Sequence, residues 1–100
     1  MIRHIVMFKL KDFGSEIEKS KAAQEVIERL NELPLKINVI RKYEAGIDIR
    51  RLAWSFDIVL TMDFDTMSDL DFYTVHPAHQ EFIAFNKDFS IDKVCIDYLI

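Results

Sequence analysis

The chain holds three histidines; two lie in the run Tyr73-Thr74-Val75-His76-Pro77-Ala78-His79, and the third is His4, near the start. Histidine exchanges protons near neutrality, with an unperturbed pKa of about 6.5, so the grouping invites a chemical reading. Three readings stand side by side. In the first, His76 and His79, three apart on a short helix, bind a metal with His4 or Glu81 as third ligand, although a two-histidine spacing falls short of a full ligand set. In the second, His79 is a general base and Tyr73 a general acid or proton relay, placed by the helix break at the mouth of a pocket between sheet and helices. Such a pair removes a proton alpha to a carbonyl while the tyrosine hydroxyl stabilises the enolate. In the third, the run only builds a corner: His76 caps the helix that begins at Pro77, Tyr73 packs under the break and His79 satisfies a backbone group. The residues alone leave all three open.

The elements that must hold these residues follow from periodicity and from four breakers, Gly14, Pro34, Gly46 and Pro77. From Ile2 to Leu10 the residues Ile2, His4, Val6, Phe8 and Leu10 share one face of a strand, and Arg3, Ile5, Met7 and Lys9 share the other. Ser15 and Glu18 form a capping box for a helix whose stripe is Ile17, Ala23, Val26, Ile27, Leu30 and Leu33, ended by Pro34. A second strand is predicted from about Ile37 to Ala45, closed by Gly46, and a polar loop covers Ile47 to Ala53. The third strand is predicted over Trp54 to Phe64, with Trp54, Phe56, Ile58, Leu60, Met62 and Phe64 on one side and Ser55, Asp57, Val59, Thr61 and Asp63 on the other. Asp65 or Thr66 caps a short helix carrying Met67, Leu70 and Tyr73, which Pro77 interrupts. A further helical piece carries Ala78, Phe82, Ile83 and Phe85, and a strand from about Ile91 to Leu99 closes the chain.

The order strand, helix, strand, strand, helix, strand is that of an α+β, ferredoxin-like fold: βαββαβ, a four-stranded antiparallel sheet with its helices on one face. The other face is left bare, with Ile5 and Met7 on strand one and an apolar strand four at Val94, Cys95, Ile96, Tyr98 and Leu99. Composition agrees. Half of the 100 residues are apolar, and a single domain of this size, spanning residues 1–100, buries only about 60–70% of the surface its unfolded chain exposes. A homodimer in which two such sheets face each other accounts for the surplus.

Composition also excludes. The formal charge is 13 minus 17, or -4, and the basic residues adjoin only in the pairs Arg41-Lys42 and Arg50-Arg51, so no phosphate-neutralising patch is expected and neither is nucleic acid as a partner. The early apolar stretch Ile5 to Phe8 is far short of a spanning helix or signal-peptide core, so no membrane partner and a cytoplasmic location are expected. Cys95, the one cysteine, reads as a small buried hydrophobe in a reducing compartment rather than a nucleophile. Trp54 reads as core or interface, and Met7, Met62 and Met67 as packing. Asp57, Thr61 and Asp63 read as a hydrogen-bonded strand face, the alternative being a polar cavity between subunits. Arg50 and Arg51 read as solvated, the alternative being an anion site.

Three segments together, Arg3-His4-Ile5-Val6-Met7-Phe8-Lys9, Ser55-Phe56-Asp57-Ile58-Val59-Leu60 leading to Phe64, and Leu70-Asp71-Phe72-Tyr73-Thr74-Val75-His76-Pro77-Ala78-His79, resemble the stress-responsive A/B barrel domain family over nearly the whole chain. The resemblance implies a dimeric α+β barrel. It also implies kinship with plant stress-induced proteins that form higher oligomers, and with cyclase-type members that close a linear polyketide by an intramolecular aldol reaction without a cofactor. By the same resemblance Tyr73 and His79 are the catalytic pair and His4 the pocket histidine of the first strand. The expected pocket is bounded by His4, His76, Val6 and Phe8, with Val26, Ile58 and Leu60 completing its wall. Where the cyclases carry large aromatic residues on helix one, this chain has Ala22, Ala23 and Val26, and where they carry a pocket histidine on the third strand it has Ile58 or a neighbour. A pocket with other walls holds another ligand. The expectation is therefore a homodimer, or a higher oligomer, binding a small carbonyl-containing molecule, with no cofactor and no metal, as a cyclase, lyase or isomerase. Its rivals are a non-enzymatic stress-response or ligand-binding protein and a cofactor-free monooxygenase of the wider superfamily.

Overall fold

In a computed structural model, which describes all of residues 1–100, strand β1 spans Ile2–Leu10 and buries Ile2, Val6, Phe8 and Leu10. Its other face carries Arg3, Ile5, Met7 and Lys9, as the alternation requires. The turn that follows uses Gly14 at φ +95°, a left-handed conformation that suits glycine. Ser15 then accepts the Glu18 N–H at 3.1 Å through its Oγ and starts helix α1, Glu16–Lys36.

Helix α1 does not stop at Pro34. The proline sits inside the last turn, where its missing N–H removes one intrahelical bond, and the helix runs on to Lys36 with the Ile37 N–H closing on the Leu33 carbonyl at 2.9 Å. Ile37, only 1% exposed, is thereby delivered into the core. Burying one such side chain contributes roughly 1.5–3 kcal/mol, enough to offset the lost bond.

Strand β2 is correspondingly later than predicted, Lys42–Ile47, and Gly46 lies within it. Strand β3 is shorter, Ile58–Phe64, so the alternation from Trp54 to Asp57 belongs to the connecting loop. That loop closes on backbone bonds from the Asp48 N–H to the Asp57 carbonyl and from the Asp57 N–H to the Phe8 carbonyl, at 2.8 and 2.9 Å. Arg51 adopts φ 57° and ties the loop to α1 through Glu16 at 2.9 Å. Trp54 is 79% exposed and is no part of the protomer core.

Helix α2, Met67–Val75, begins at Thr66, whose Oγ1 accepts the Asp69 N–H at 3.1 Å; helix α3 is Pro77–Asn86, and strand β4 is Ser90–Leu99. The sheet order is β2-β3-β1-β4, antiparallel throughout. This is the ferredoxin-like βαββαβ fold with its second helical segment broken in two. Val26, Leu30, Met62 and Phe64 are completely buried between sheet and helices. On the opposite face Met7, Val59, Val94, Ile96 and Tyr98 are exposed, so the bare face is apolar as expected. No helix is long and apolar enough to cross a membrane.

The acidic residues of the third-strand region are engaged. Asp63 is gripped by Arg3 through Nε and Nη2 at 2.9 and 3.0 Å, and the guanidinium holds its carboxyl below the usual carboxylate range. Asp57 accepts the Leu10 N–H at 2.7 Å and pairs with Lys19 at 3.3 Å.

Candidate active site

The break between α2 and α3 is a consequence of Pro77. A residue preceding proline is driven out of helical geometry, and His76 is extended at φ -62°, ψ 138°. Its Nδ1 accepts the Ala78 N–H at 3.0 Å, capping α3. In an unbroken helix that N–H would have closed on the Thr74 carbonyl. The freed carbonyl accepts two other donors instead, His79 Nδ1–H at 2.9 Å and Gln80 Nε2–H at 2.8 Å. A proton on Nδ1 leaves Nε2 of neutral His79 as the nitrogen with a lone pair.

His79 lies over Tyr73, with ring centroids 4.3 Å apart and 31° from parallel. Tyr73 is in turn edge-on to His4 at 5.9 Å and tilted against Phe64 at 5.3 Å. Only 2% of Tyr73 is exposed, yet no buried side-chain N or O atom lacks a partner, and no hydrogen bond engages its hydroxyl. The exposed remnant of Tyr73 therefore includes the hydroxyl, and it opens onto a cavity.

That cavity, about 550 Å³, lies between α3, β1 and β4. Of the expected wall residues, His4, Val6, Phe8, Leu60, Tyr73 and His79 line it. Three do not. His76 is committed to the helix cap and meets Phe72 edge-on at 5.6 Å. Val26 is fully buried on the core face of α1, and Ile58 is sealed in the core opposite Phe8. The expected metal grouping of His76 and His79 with His4 or Glu81 does not assemble, because the ligand atoms of these side chains do not converge.

Burial sets the charge states. It pushes the His79 pKa below 6.5; the Thr74 carbonyl pulls the other way, while the charges of His4 and Lys93 add to the lowering. His79 is therefore neutral at pH 7. Burial likewise pushes the Tyr73 phenol upward, keeping it a neutral hydrogen-bond donor. Tyr43, whose hydroxyl donates to Asn31 Oδ1 at 2.7 Å, is pushed up to about 12 by burial. It lies outside the cavity lining.

Unanticipated polar lining residues come from the end of α3 and from β4: Asn86, Lys87, Ser90, Asp92, Lys93 and Cys95. The register pairs Val6 with Cys95, Phe8 with Lys93 and His4 with Asp97, so these β4 residues share the pocket face of β1. His4 Nδ1 is 2.5 Å from Asp97 Oδ1. A clue was present in the alternation Lys93, Cys95, Asp97, but only the register tells which β1 residues they meet.

Comparison with known proteins fits this geometry. The profile of the Stress Responsive A/B Barrel Domain family matches residues 2–100. An uncharacterized protein of Streptomyces coelicolor is 31% identical over 90 residues, covering 90% of this chain and 91% of its own length. A dimeric protein of unknown function with a ferredoxin-like fold from Bacteroides fragilis superposes with TM-score 0.86 at 33% identity, over 99% of this chain and 95% of that one. The hydroxynitrile lyase of Passiflora edulis superposes with TM-score 0.81 at 20% identity, over 99% and 92% of the two chains, which is a likeness of fold.

Proposed function

The chain belongs to the stress responsive A/B barrel domain family, and from that premise we propose that it is a homodimeric protein that binds a small carbonyl compound in each protomer's cavity and performs acid–base chemistry on it without a cofactor. One observation carries this reading: His79, neutral and held through Nδ1 by the Thr74 carbonyl, shares a cavity of about 550 Å³ with the unengaged hydroxyl of Tyr73. The volume is ordinary for a small-molecule site, roughly 300–1,000 Å³.

The chemistry follows from the two groups. His79 Nε2 takes a proton from the carbon next to the carbonyl, and the electron pair of that C–H bond moves into the enolate. Tyr73 donates a hydrogen bond to the oxygen as it gains charge. The imidazolium then returns the proton to carbon, which completes an isomerisation, or to the alkoxide formed when the enolate carbon attacks a second carbonyl of the substrate, which completes a ring closure. In a cleavage Nε2 instead takes the proton of a β-hydroxyl, the Cα–Cβ bond breaks to a carbonyl and an enolate, and the imidazolium protonates the enolate carbon. A placed general base contributes about 10²–10⁴-fold. Lys87 and Lys93 line the cavity against the single carboxylate of Asp92, and this excess of one positive charge favours a ligand bearing an anionic group.

Two comparisons support the reading. The Bacteroides fragilis relative is dimeric, and the bare apolar sheet face offers the matching surface. The Passiflora edulis enzyme acts on a hydroxynitrile, by its chemistry the adduct of a carbonyl compound, so the fold accommodates that substrate class. A ligand-observed NMR screen of small ketones and keto acids, followed by shift mapping on the labelled protein, tests the site. Perturbations clustered at His4, Tyr73 and His79 are expected; a panel without binders, or shifts clustered elsewhere, contradicts it.

A further inference from the structure

We infer that the chain carries a metal site at the end of the cavity where β1 meets β4, formed by His4 Nδ1, Cys95 Sγ and the Asp97 carboxylate, for a thiophilic divalent cation, zinc foremost. The register supplies the constellation. His4 faces Asp97 directly and Cys95 is diagonal to it, two residues along β4, so all three side chains leave the same face of two neighbouring strands. Their candidate ligand atoms lie within 4.8 Å of one another.

The distances resemble the edges of a coordination tetrahedron. Zinc bonds of about 2.3 Å to sulfur, 2.0–2.1 Å to nitrogen and 2.0–2.2 Å to oxygen give edges of roughly 3.3–3.6 Å. His4 Nδ1 to Cys95 Sγ is 3.7 Å and Cys95 Sγ to Asp97 Oδ2 is 3.8 Å, each close to the required edge. Only the 2.5 Å contact between His4 Nδ1 and Asp97 Oδ1 must open, by somewhat less than about 1 Å. The Asp97 side chain is 41% exposed and on the edge strand, free to swing, whereas the His4 side chain is 13% exposed and held by Tyr73 and Phe64.

The donor set selects the ion. A thiolate and an imidazole favour zinc over magnesium or calcium, which prefer all-oxygen shells. Three protein ligands leave a fourth position for water or for a ligand in the cavity that His4 and Cys95 line. Binding is balanced by release of one proton, from the Cys95 thiol as the metal–sulfur bond forms. The His4 ring proton moves from Nδ1 to Nε2 as the metal takes Nδ1. A bound ion thereby converts His4 Nε2 from acceptor to donor, a change beside Tyr73 that is independent of whether His79 turns a substrate over.

The test uses the full chain, reduced, chelator-treated and free of any oligohistidine tag. Zinc is titrated against a chromogenic indicator, and cobalt(II) is added as a spectroscopic probe. Expected are one zinc per chain, a thiolate-to-cobalt charge-transfer band in the near ultraviolet and the intense visible bands of a tetrahedral site. Cys95→Ser abolishes the charge-transfer band, and Asp97→Asn weakens zinc binding at least about tenfold, while Glu28→Gln on the exposed side of α1 changes nothing. Absence of zinc binding by the folded wild-type chain, or a cobalt spectrum without the thiolate band, overturns the assignment. Both of those observations are made on the unaltered chain, so they stand even where a variant fails to fold.

Discussion

The imidazole of His79 lies 4.3 Å from the phenol ring of Tyr73, centroid to centroid, and its Nδ1 is tied to the carbonyl of Thr74, one residue beyond that tyrosine. The relationship exists because Pro77 denies Thr74 its helical donor. A backbone carbonyl holds the imidazole, the imidazole packs on the ring, and both then face one cavity. Structural and chemical roles in the histidine run are thus divided by residue. His76 does what a corner requires, and His79 is oriented by a backbone group while keeping its second nitrogen free.

Tyr73 separates packing from chemistry. Tyr73→Phe deletes a hydroxyl that no protein group engages, so unfolding in urea is expected to shift by less than about 1 kcal/mol, while turnover of a bound carbonyl compound falls. Tyr73→Ala empties a buried ring site and is expected to destabilise by roughly 3–5 kcal/mol. Equal, large destabilisation by both substitutions would assign the hydroxyl itself to the fold.

His79 makes stability pH-dependent. The groups facing it are His4 on β1, Lys93 on β4 and the neutral Tyr73 on α2, and its folded pKa lies below 6.5. The unfolded chain therefore binds more protons at this residue across the interval from about 6.5 down to the folded value. Its contribution to stability is intact above that interval and is lost as pH falls through it. NMR titration of the His79 ring should give the low midpoint, and Lys93→Met, which removes a neighbouring positive charge, should raise it. A midpoint at or above 6.5 in the wild type would contradict the burial described.

Much of this arrangement was legible locally. The Ser15 and Thr66 caps, the Pro77 break and the alternation of Ile2, Val6, Phe8 and Leu10 each depend on a few neighbouring residues. Errors arose where distant packing overrides local preference. Pro34 stays helical because Ile37 gains a place in the core, and Trp54 alternates in phase with β3 although the loop that bears it is closed by Asp48, Asp57 and Phe8. The partners of His4 were hidden for the same reason, since Cys95 and Asp97 reach it through strand register across some ninety residues.

The bare sheet face gives a prediction about assembly. Met7, Val94, Ile96 and Tyr98 are exposed on the protomer, and a second copy placed against them would remove that apolar surface from water. Size-exclusion chromatography with light scattering should report a dimer for the wild type and a monomer for Ile96→Lys, because an unpaired charge in a sheet-to-sheet contact is strongly disfavoured. A wild-type monomer at micromolar concentration would contradict face-to-face pairing.

The most direct measurement of the central claim is proton exchange. Small ketones and keto acids that bind the cavity are incubated with the protein in deuterium oxide and chelator, and loss of the proton signal alpha to the carbonyl is followed by NMR. Wild-type protein is expected to accelerate exchange over buffer for at least one bound compound, and His79→Ala, folded and still binding, to lose about 10²-fold or more of that rate. Exchange at the buffer rate for every bound compound, or a full rate in His79→Ala, would contradict the assignment of His79 as the base.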